Sequence, residues 1–265
     1  MRQEEVRTAQ MKYVEKQRQR KRLVTAARVL LLAVILFLWE VSARAGWIND
    51  FIFSSPCRMI AAFWSMILDK TIFYHTGITI LETVISFGLV LILGIGGAIA
   101  LWSSKSLSDV LDPYLVMLNS LPKSALAPIL IVWLGANMKT IIVAAISVAV
   151  FGAILTLHNG FLSMDADQIK LIYTLGGERR DVLFKVLLPG SVPLIISNMK
   201  VNVGLCLVGV IIGEFLAARA GLGYLIMYGS QVFKLDLVMM SIVILCILSA
   251  LMYKGIAMLE KRLVK

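Results

Sequence analysis

The sequence predicts an all-α, polytopic membrane protein with about six transmembrane helices, and three observations carry that prediction. First, of 265 residues 59% are hydrophobic and only 16% charged, with a mean hydropathy of +0.87; a soluble domain of this size needs far more polar surface. Second, apolar runs bounded by charges or turn residues recur at about 23–41, 78–102, 113–134, 140–158, 192–218 and 238–258, near the roughly 20 residues a span requires. Third, backbone polar groups in lipid must find partners within their own segment, which makes each run a helix. No length remains for a separate soluble domain. One membrane domain, 23–265, is expected behind a basic arm, 1–22.

The arm holds Arg2, Arg7, Lys12, Lys16, Arg18, Arg20, Lys21 and Arg22 against Glu4, Glu5 and Glu15. Positive segments resist translocation, so it is expected in the cytoplasm, either as an amphiphilic arm on the membrane surface or as a solvated tail. Ala43-Arg44-Ala45 has the small-residue spacing of a signal cleavage site, but the leader is too long for a secretory signal, and span one reads as an anchor. Six crossings return Lys254, Lys261, Arg262 and Lys265 to the cytoplasm and place Lys170, Arg179, Arg180 and Lys185 there too. The outer loops are poorer in basic residues, with Lys139 in one and Arg219 and Lys234 in another. The net charge of +10 therefore reflects topology, and no nucleic-acid partner is expected.

Span two carries Thr79, Glu82, Thr83 and Ser86 within about a third of the helix circumference. Ionisable groups at membrane depth turn toward protein or a wet cavity. Glu82 is thus a candidate for the translocation path, for a headgroup-level carboxylate, or for an ion pair with an inward cation. In span three Pro122 and Pro128 interrupt the run with Lys123 between them, giving either a gate wall built on a broken helix or an interfacial helix turning inward with Lys123 snorkelling to headgroups. Span five places Asn198, Asn202, Gly209 and Gly213 on a face about 60° wide, suited to helix packing or to the path. Glu214 and the following "RAGLGYL" read as an outer re-entrant turn permitted by Gly221 and Gly223.

Between spans four and five lies "YTLGGERRDVLFKVLLPG". Upstream, Asp165 and Gln168 have capping-box spacing, and Ile169, Ile172 and Leu175 follow at helical intervals, predicting a short amphipathic helix up to Gly176. Gly176-Gly177 supplies a left-handed elbow. A second short helix starts near Glu178, carries Val182, Leu183, Val186 and Leu187, and is broken by Pro189. Such a unit either packs under the bundle or plugs a cytoplasmic partner's groove.

Catalytic signatures are missing: there is no phosphate-binding G-x-x-x-x-G-K-[ST] loop, Gly-x-Ser-x-Gly elbow or His-Glu-x-x-His pair. Cys57, Cys206 and Cys246 have no framework spacing. His75 and His158 stand near opposite faces without ligand partners, read as interfacial, and no metal site is expected. Transport or sensing remains, without an enzyme in this chain.

The stretch "YTLGGERRDVLFKVLLP" resembles the cytoplasmic EAA loop of binding-protein-dependent ABC importer permeases. "LPKSALAPILIVWLGANMKT" and "GEFLAARAGLGYLIMYGSQVFKLDLV" resemble the taurine, sulfonate and nitrate branch of that family, so the resemblance covers nearly all of 75–262. It implies a type I ABC importer permease fold in the cytoplasmic (inner) membrane, with both termini cytoplasmic. The implied partners are a second permease copy, two ATPase subunits that bind ATP and Mg, and an external substrate-binding protein. The EAA loop, about 163–190, would sit in the ATPase groove, with Gly176 as elbow, Pro189 as stop, and Gly177, Glu178, Arg179, Arg180 and Phe184 at or near the docking surface. This chain departs from the pattern twice: Lys170-Leu171-Ile172 replaces the usual Glu-Ala-Ala, and Glu82 stands where many relatives carry arginine, which weakens the case for an anionic substrate such as a sulfonate. Alternating access driven through the loop is the expected mechanism. The alternatives are an ion-coupled secondary transporter using Glu82, Lys200 or Glu214, and a membrane scaffold or sensor. The resemblance allows sulfonates, nitrate, pyrimidine vitamin precursors or other small polar solutes.

Overall fold

Helices account for every regular element among the described residues 2–263 of the computed structural model; Lys265 lies outside them. The chain divides into two units, 1–62 and 63–265. In the first, α1 (Arg2–Arg44) runs unbroken through residue 22, so basic arm and first apolar run are one helix. Its C-terminal end is stapled: Arg44 Nε donates to Glu40 at 2.7 Å, and the other Glu40 oxygen accepts the Cys57 N–H at 3.1 Å. That contact holds α2 (Asp50–Phe53) and the start of α3 (Pro56–Leu68). Neither helix was anticipated, because 51–70 contains no run of spanning length. Pro56 suits the first helical position, where its missing N–H costs nothing.

The second unit holds α4 (Thr71–Ser103), α5 (Lys105–Ser120), α6 (Lys123–Leu134), α7 (Met138–Leu162), α8 (Ala166–Thr174), α9 (Arg179–Val182), α10 (Leu188–Gly190), α11 (Val192–Ala217), α12 (Leu222–Gln231) and α13 (Leu235–Leu263). Among the described residues five helices are long and apolar enough to cross a membrane, six if α5 and α6 form one span. At the centre is α7, whose buried Ala144, Ala145, Ala149 and Ala153 let neighbours approach closely. A Cβ on Gly209 of α11 would stand 2.6 Å from the Ala145 Cα, and one on Gly213 2.9 Å from the Ile141 Cα. On the other flank Gly94 of α4 faces Ala153. Small residues permit this because association in lipid relies on close packing rather than on the hydrophobic effect. Large apolar side chains such as Leu81, Val84, Ile92, Val243 and Leu251 point outward, as a lipid-solvated surface requires.

Two sequence expectations need correction. The predicted third span, 113–134, is two helices meeting at 96°. The break falls at Leu121-Pro122: proline forces the preceding residue out of the helical region, and Leu121 is extended at φ −64°, ψ 141°. Pro128, expected as a second interruption, sits inside α6. Lys123 stands at this break, at the start of α6. Its Nζ donates to the Leu118 and Asn119 carbonyls at 2.7 and 2.6 Å, closing the end of α5, where carbonyls lack helical partners. Lys123→Met is expected to cost about 1 kcal/mol, read as a lower thermal midpoint in detergent.

The second correction concerns Pro189. The expected helix stop is absent. After α9 the chain widens into a π turn over Leu183–Leu187, where the Leu188 N–H bonds the Leu183 carbonyl. It then passes through α10 and Ser191 into α11, with Ser191 N–H bonded to Leu187 at 2.9 Å. In an α-helix the proline ring would strike the carbonyl four residues back, that of Lys185; the wider turn relieves the clash and the helical path continues.

Candidate functional site

The loop between α7 and α11 is built from local chemistry. Asp165 caps α8, accepting from the Asp167 N–H at 2.9 Å. At its end Gly176 has φ +80°, a left-handed value that costs a non-glycine residue energy. The Gly176 N–H bonds the Tyr173 carbonyl and the Gly177 N–H that of Ile172 at 2.9 Å, a closure of the Schellman type. Gly177 is needed for a different reason: a Cβ there would lie 2.6 Å from Ile172 Cγ2 and 2.9 Å from its carbonyl oxygen. The elbow thus needs conformational freedom at one glycine and empty space at the next.

Beyond the elbow the Glu178 N–H donates to Asp181 at 2.9 Å, and Lys185 reaches the same carboxylate at 2.6 Å. The Lys185 bond, followed by the Glu178 N–H, holds the Asp181 carboxyl below its ordinary value of 3.8. Because the folded value is depressed, this support is present above the ordinary value and is lost as pH falls through the folded one. The Glu178 amide is expected to keep its hydrogen-exchange protection down to that acid range and lose it below; an Asp181→Asn variant should lack the transition.

Val182 and Leu187 are fully buried, and Leu187 joins Ala98, Leu157 and Phe161 with Leu183 and Trp102 beside them. Arg179 Nη2 donates to the Trp102 carbonyl at 2.6 Å, and its guanidinium stands 5.1 Å from the Trp102 ring centre, so the loop is tied to the C-terminal end of α4. Nearby, Ser108 of α5 and His158 of α7 pair at 3.3 Å, and His158 is buried. The remaining face of the loop is open: Leu171, Tyr173, Leu175 and Phe184 are 58%, 49%, 75% and 64% exposed, with Glu178 and Arg180 exposed among them.

At the opposite end of the unit Thr79, Glu82, Thr83 and Ser86 form one buried face of α4. Thr79 Oγ1 donates to Glu214 at 2.7 Å and accepts the Leu222 N–H at 2.8 Å. Glu214 also accepts the Gly223 N–H at 2.5 Å, so its carboxyl caps α12 from the end of α11. Gly221, at φ +115°, donates its N–H to His75 Nδ1 at 3.0 Å, and a Cβ there would strike the Glu214 carboxyl, as one on Gly223 would at 2.8 Å. Glu214, Gly221 and Gly223 thus meet at the turn between α11 and α12. The neighbour of Glu82 is the Glu214 carboxyl, and not one of the inward cations offered for an ion pair. Asn198 and Asn202 are buried and bond each other, Asn202 Nδ2 to Asn198 Oδ1 at 2.5 Å. Lys200 pairs with Glu260 at 2.5 Å, joining α11 to α13.

Sequence reasoning missed Trp102, Ser108 and the Glu82–Glu214 contact, since each depends on distant elements. The Asp181–Lys185 pair could have been read from its i,i+4 spacing.

A polytopic bundle with a two-helix loop at one end and a capped turn at the other has the architecture of a transporter's membrane subunit. Residues 91–265 match the model for the binding-protein-dependent transport system inner membrane component, and the chain belongs to that family. Similar proteins include a probable ABC transporter permease of Haemophilus influenzae, 28% identical over 89% of this chain and 96% of the relative. The putative aliphatic sulfonates transport permease SsuC of Bacillus subtilis is 28% identical over 95% and 91%, and the taurine transport permease TauC of Escherichia coli 24% over 88% and 86%. A solved chain of the inward-facing methionine ABC transporter MetNI shares the fold, with a TM-score of 0.64 at 18% identity, covering 71% of this chain and 94% of that one. The chain is a membrane-embedded ABC importer permease and not itself the ATPase. The ion-coupled alternative finds no support in these similarities.

Proposed function

We propose that loop 163–190 is the coupling element through which two ATPase subunits, carrying ATP and Mg, drive this permease between inward-open and outward-open states. One observation carries the reading: Leu171, Tyr173, Leu175 and Phe184 stand exposed on a loop whose elbow is sealed at Gly176-Gly177 and whose base is tied to α4 through Arg179 and Trp102. An apolar set on a braced loop suits a groove in a partner, and a push on it reaches α4 and, through the continuous path past Pro189, α11. Gly176, Gly177, Glu178, Arg179, Arg180, Phe184 and Pro189 serve this coupling.

The same reading places both termini and arm 1–22 in the cytoplasm, with 23–265 as the permease domain. The assembly contains a second identical copy, surrounding lipid and an external binding protein, and no nucleic acid. Thr79, Glu82, Thr83, Ser86, Asn198 and Asn202 are sealed within the protomer, so a solute reaches them only when the outer turn parts from α4; Pro122 and Lys123 form the corner that lets α6 tilt. The cargo is a small polar solute, and the sulfonate and taurine named for relatives are the first compounds to assay.

Coexpression with the ATPase and binding protein, reconstitution into vesicles and uptake assays test this. Uptake should require ATP inside and binding protein outside, and Phe184→Asp should release the ATPase while the bundle stays folded. Uptake persisting without any ATPase, or labelling of a cysteine at position 184 from outside the cell, would sink the reading.

A further inference from the structure

Two acids meet, sealed from solvent, at the outer ends of α4 and α11. Glu82 is 2% exposed and Glu214 1%, and their carboxyl groups are neighbours. Glu214 is well supplied with donors, receiving the Thr79 hydroxyl and the Gly223 N–H. Glu82 has none of these, and its Oε2 is buried without a partner.

Among the described residues, none of the recorded ion pairs joins a cation to either carboxylate. On α4 the other titratable groups are the phenol of Tyr74, which is exposed, and His75, whose Nδ1 accepts the Gly221 N–H and so bears no proton. On α11, Lys200 is bound to Glu260 and lies about 20 Å along the helix from Glu214. Lys123 of α6 is spent on the end of α5. On α7, Lys139 is exposed at the outer tip, and His158 faces Ser108 at the other end. α12 offers only the phenols of Tyr224 and Tyr228, and Arg219 of the turn is exposed. On α13, Asp236 is acidic, and Lys254, Glu260, Lys261 and Arg262 belong to its inner half. Among the described residues no group of three or more His, Cys, Asp or Glu could hold a metal ion.

Two carboxylates in contact and out of water repel each other with nothing to offset the repulsion. A proton between them turns the contact into a charge-assisted hydrogen bond. We propose that Glu82 and Glu214 form a proton-binding site, with the proton on Glu82 donated to Glu214, and that this proton latches the outer turn onto α4. The assignment to Glu82 follows from the donors: those on Glu214 favour its charged form, whereas a protonated Glu82 leaves only a neutral carbonyl unpaired. Because Glu214 also holds the Gly223 amide and shares Thr79 with the Leu222 amide, expelling the proton sets two like charges against each other and drives the turn off α4. Inward of the pair lies the apolar cluster of Val90, Ala149, Val150, Ala153 and Cys206, so the proton exchanges with the outside when the turn lifts and is not carried through. This inference goes beyond the transport reading and holds whether or not the loop binds an ATPase.

Infrared spectroscopy of the full chain in lipid discs, exchanged into heavy water at neutral pH, detects the carbonyl stretch of a protonated carboxylic acid, which ionised carboxylates lack. That band should be present in the wild type and lost in Glu82→Gln, whose amide keeps a donor for Glu214. A band absent from the wild type, or unchanged in Glu82→Gln, overturns the proposal. A second readout uses amide exchange at Leu222 and Gly223. In the wild type, protection should fall with rising pH by more than the intrinsic base-catalysed increase, and in Glu82→Gln by no more than that increase. Identical pH responses in the two proteins would also overturn it.

Discussion

Leucine at position 177 is expected to abolish ATP-driven uptake while leaving the bundle folded. The Gly177 N–H closes the end of α8 on the Ile172 carbonyl, and a Cβ would lie 2.9 Å from that same oxygen and 2.6 Å from Ile172 Cγ2. A carbon cannot stay there, so the closure opens and α9 leaves its angle to α8. Leu171, Tyr173 and Leu175 lie before the elbow and Phe184 after it, so the exposed set no longer presents one surface. A tenfold or greater loss of ATPase affinity, about 1.4 kcal/mol, is expected in pull-down titrations, together with loss of uptake. Gly176→Asn is the control: a Cβ at 176 meets nothing within 4 Å, and asparagine tolerates the left-handed backbone. If the leucine variant couples as well as the asparagine one, the elbow has no mechanical role.

Gly209→Leu should be the most damaging substitution in the membrane core. Its Cβ would lie 2.6 Å from the Ala145 Cα and 3.2 Å from the Ala145 carbonyl oxygen, so relief requires α7 and α11 to separate rather than a side chain to turn. Overpacking against movable side chains costs about 1–3 kcal/mol; against backbone the cost should exceed that range. The cluster of Ile141, Ala145, Val210 and Ala217 opens with it. Gly204→Leu on the same helix, where a Cβ meets nothing within 4 Å, should be tolerated. Size-exclusion profiles and thermal midpoints after detergent extraction separate the two, and equal stability would refute the close α7–α11 seam.

The legible parts of the molecule were those governed by neighbours in sequence. The Gly176 elbow, the Asp165 cap and the break before Pro122 follow from backbone sterics over a few residues. Pro189 was misread by the same local logic, because a π turn beginning at Leu183 gives the proline ring room and lets the helix continue. Residues 51–70 were passed over because short amphipathic helices such as α3 lack the long apolar run by which spans are recognised.

The amino-acid sequence by itself determined the all-α membrane class, nearly every span and the loop that marks the family, because lipid imposes backbone satisfaction within each segment and turn chemistry acts over a few residues. Only the tertiary structure decided that Lys123 closes a corner, that Arg179 grips Trp102, and that Glu82 faces another acid 132 residues later. These outcomes depend on which helices lie side by side, and that is set by the small-residue seams of α7, whose fit no single segment encodes.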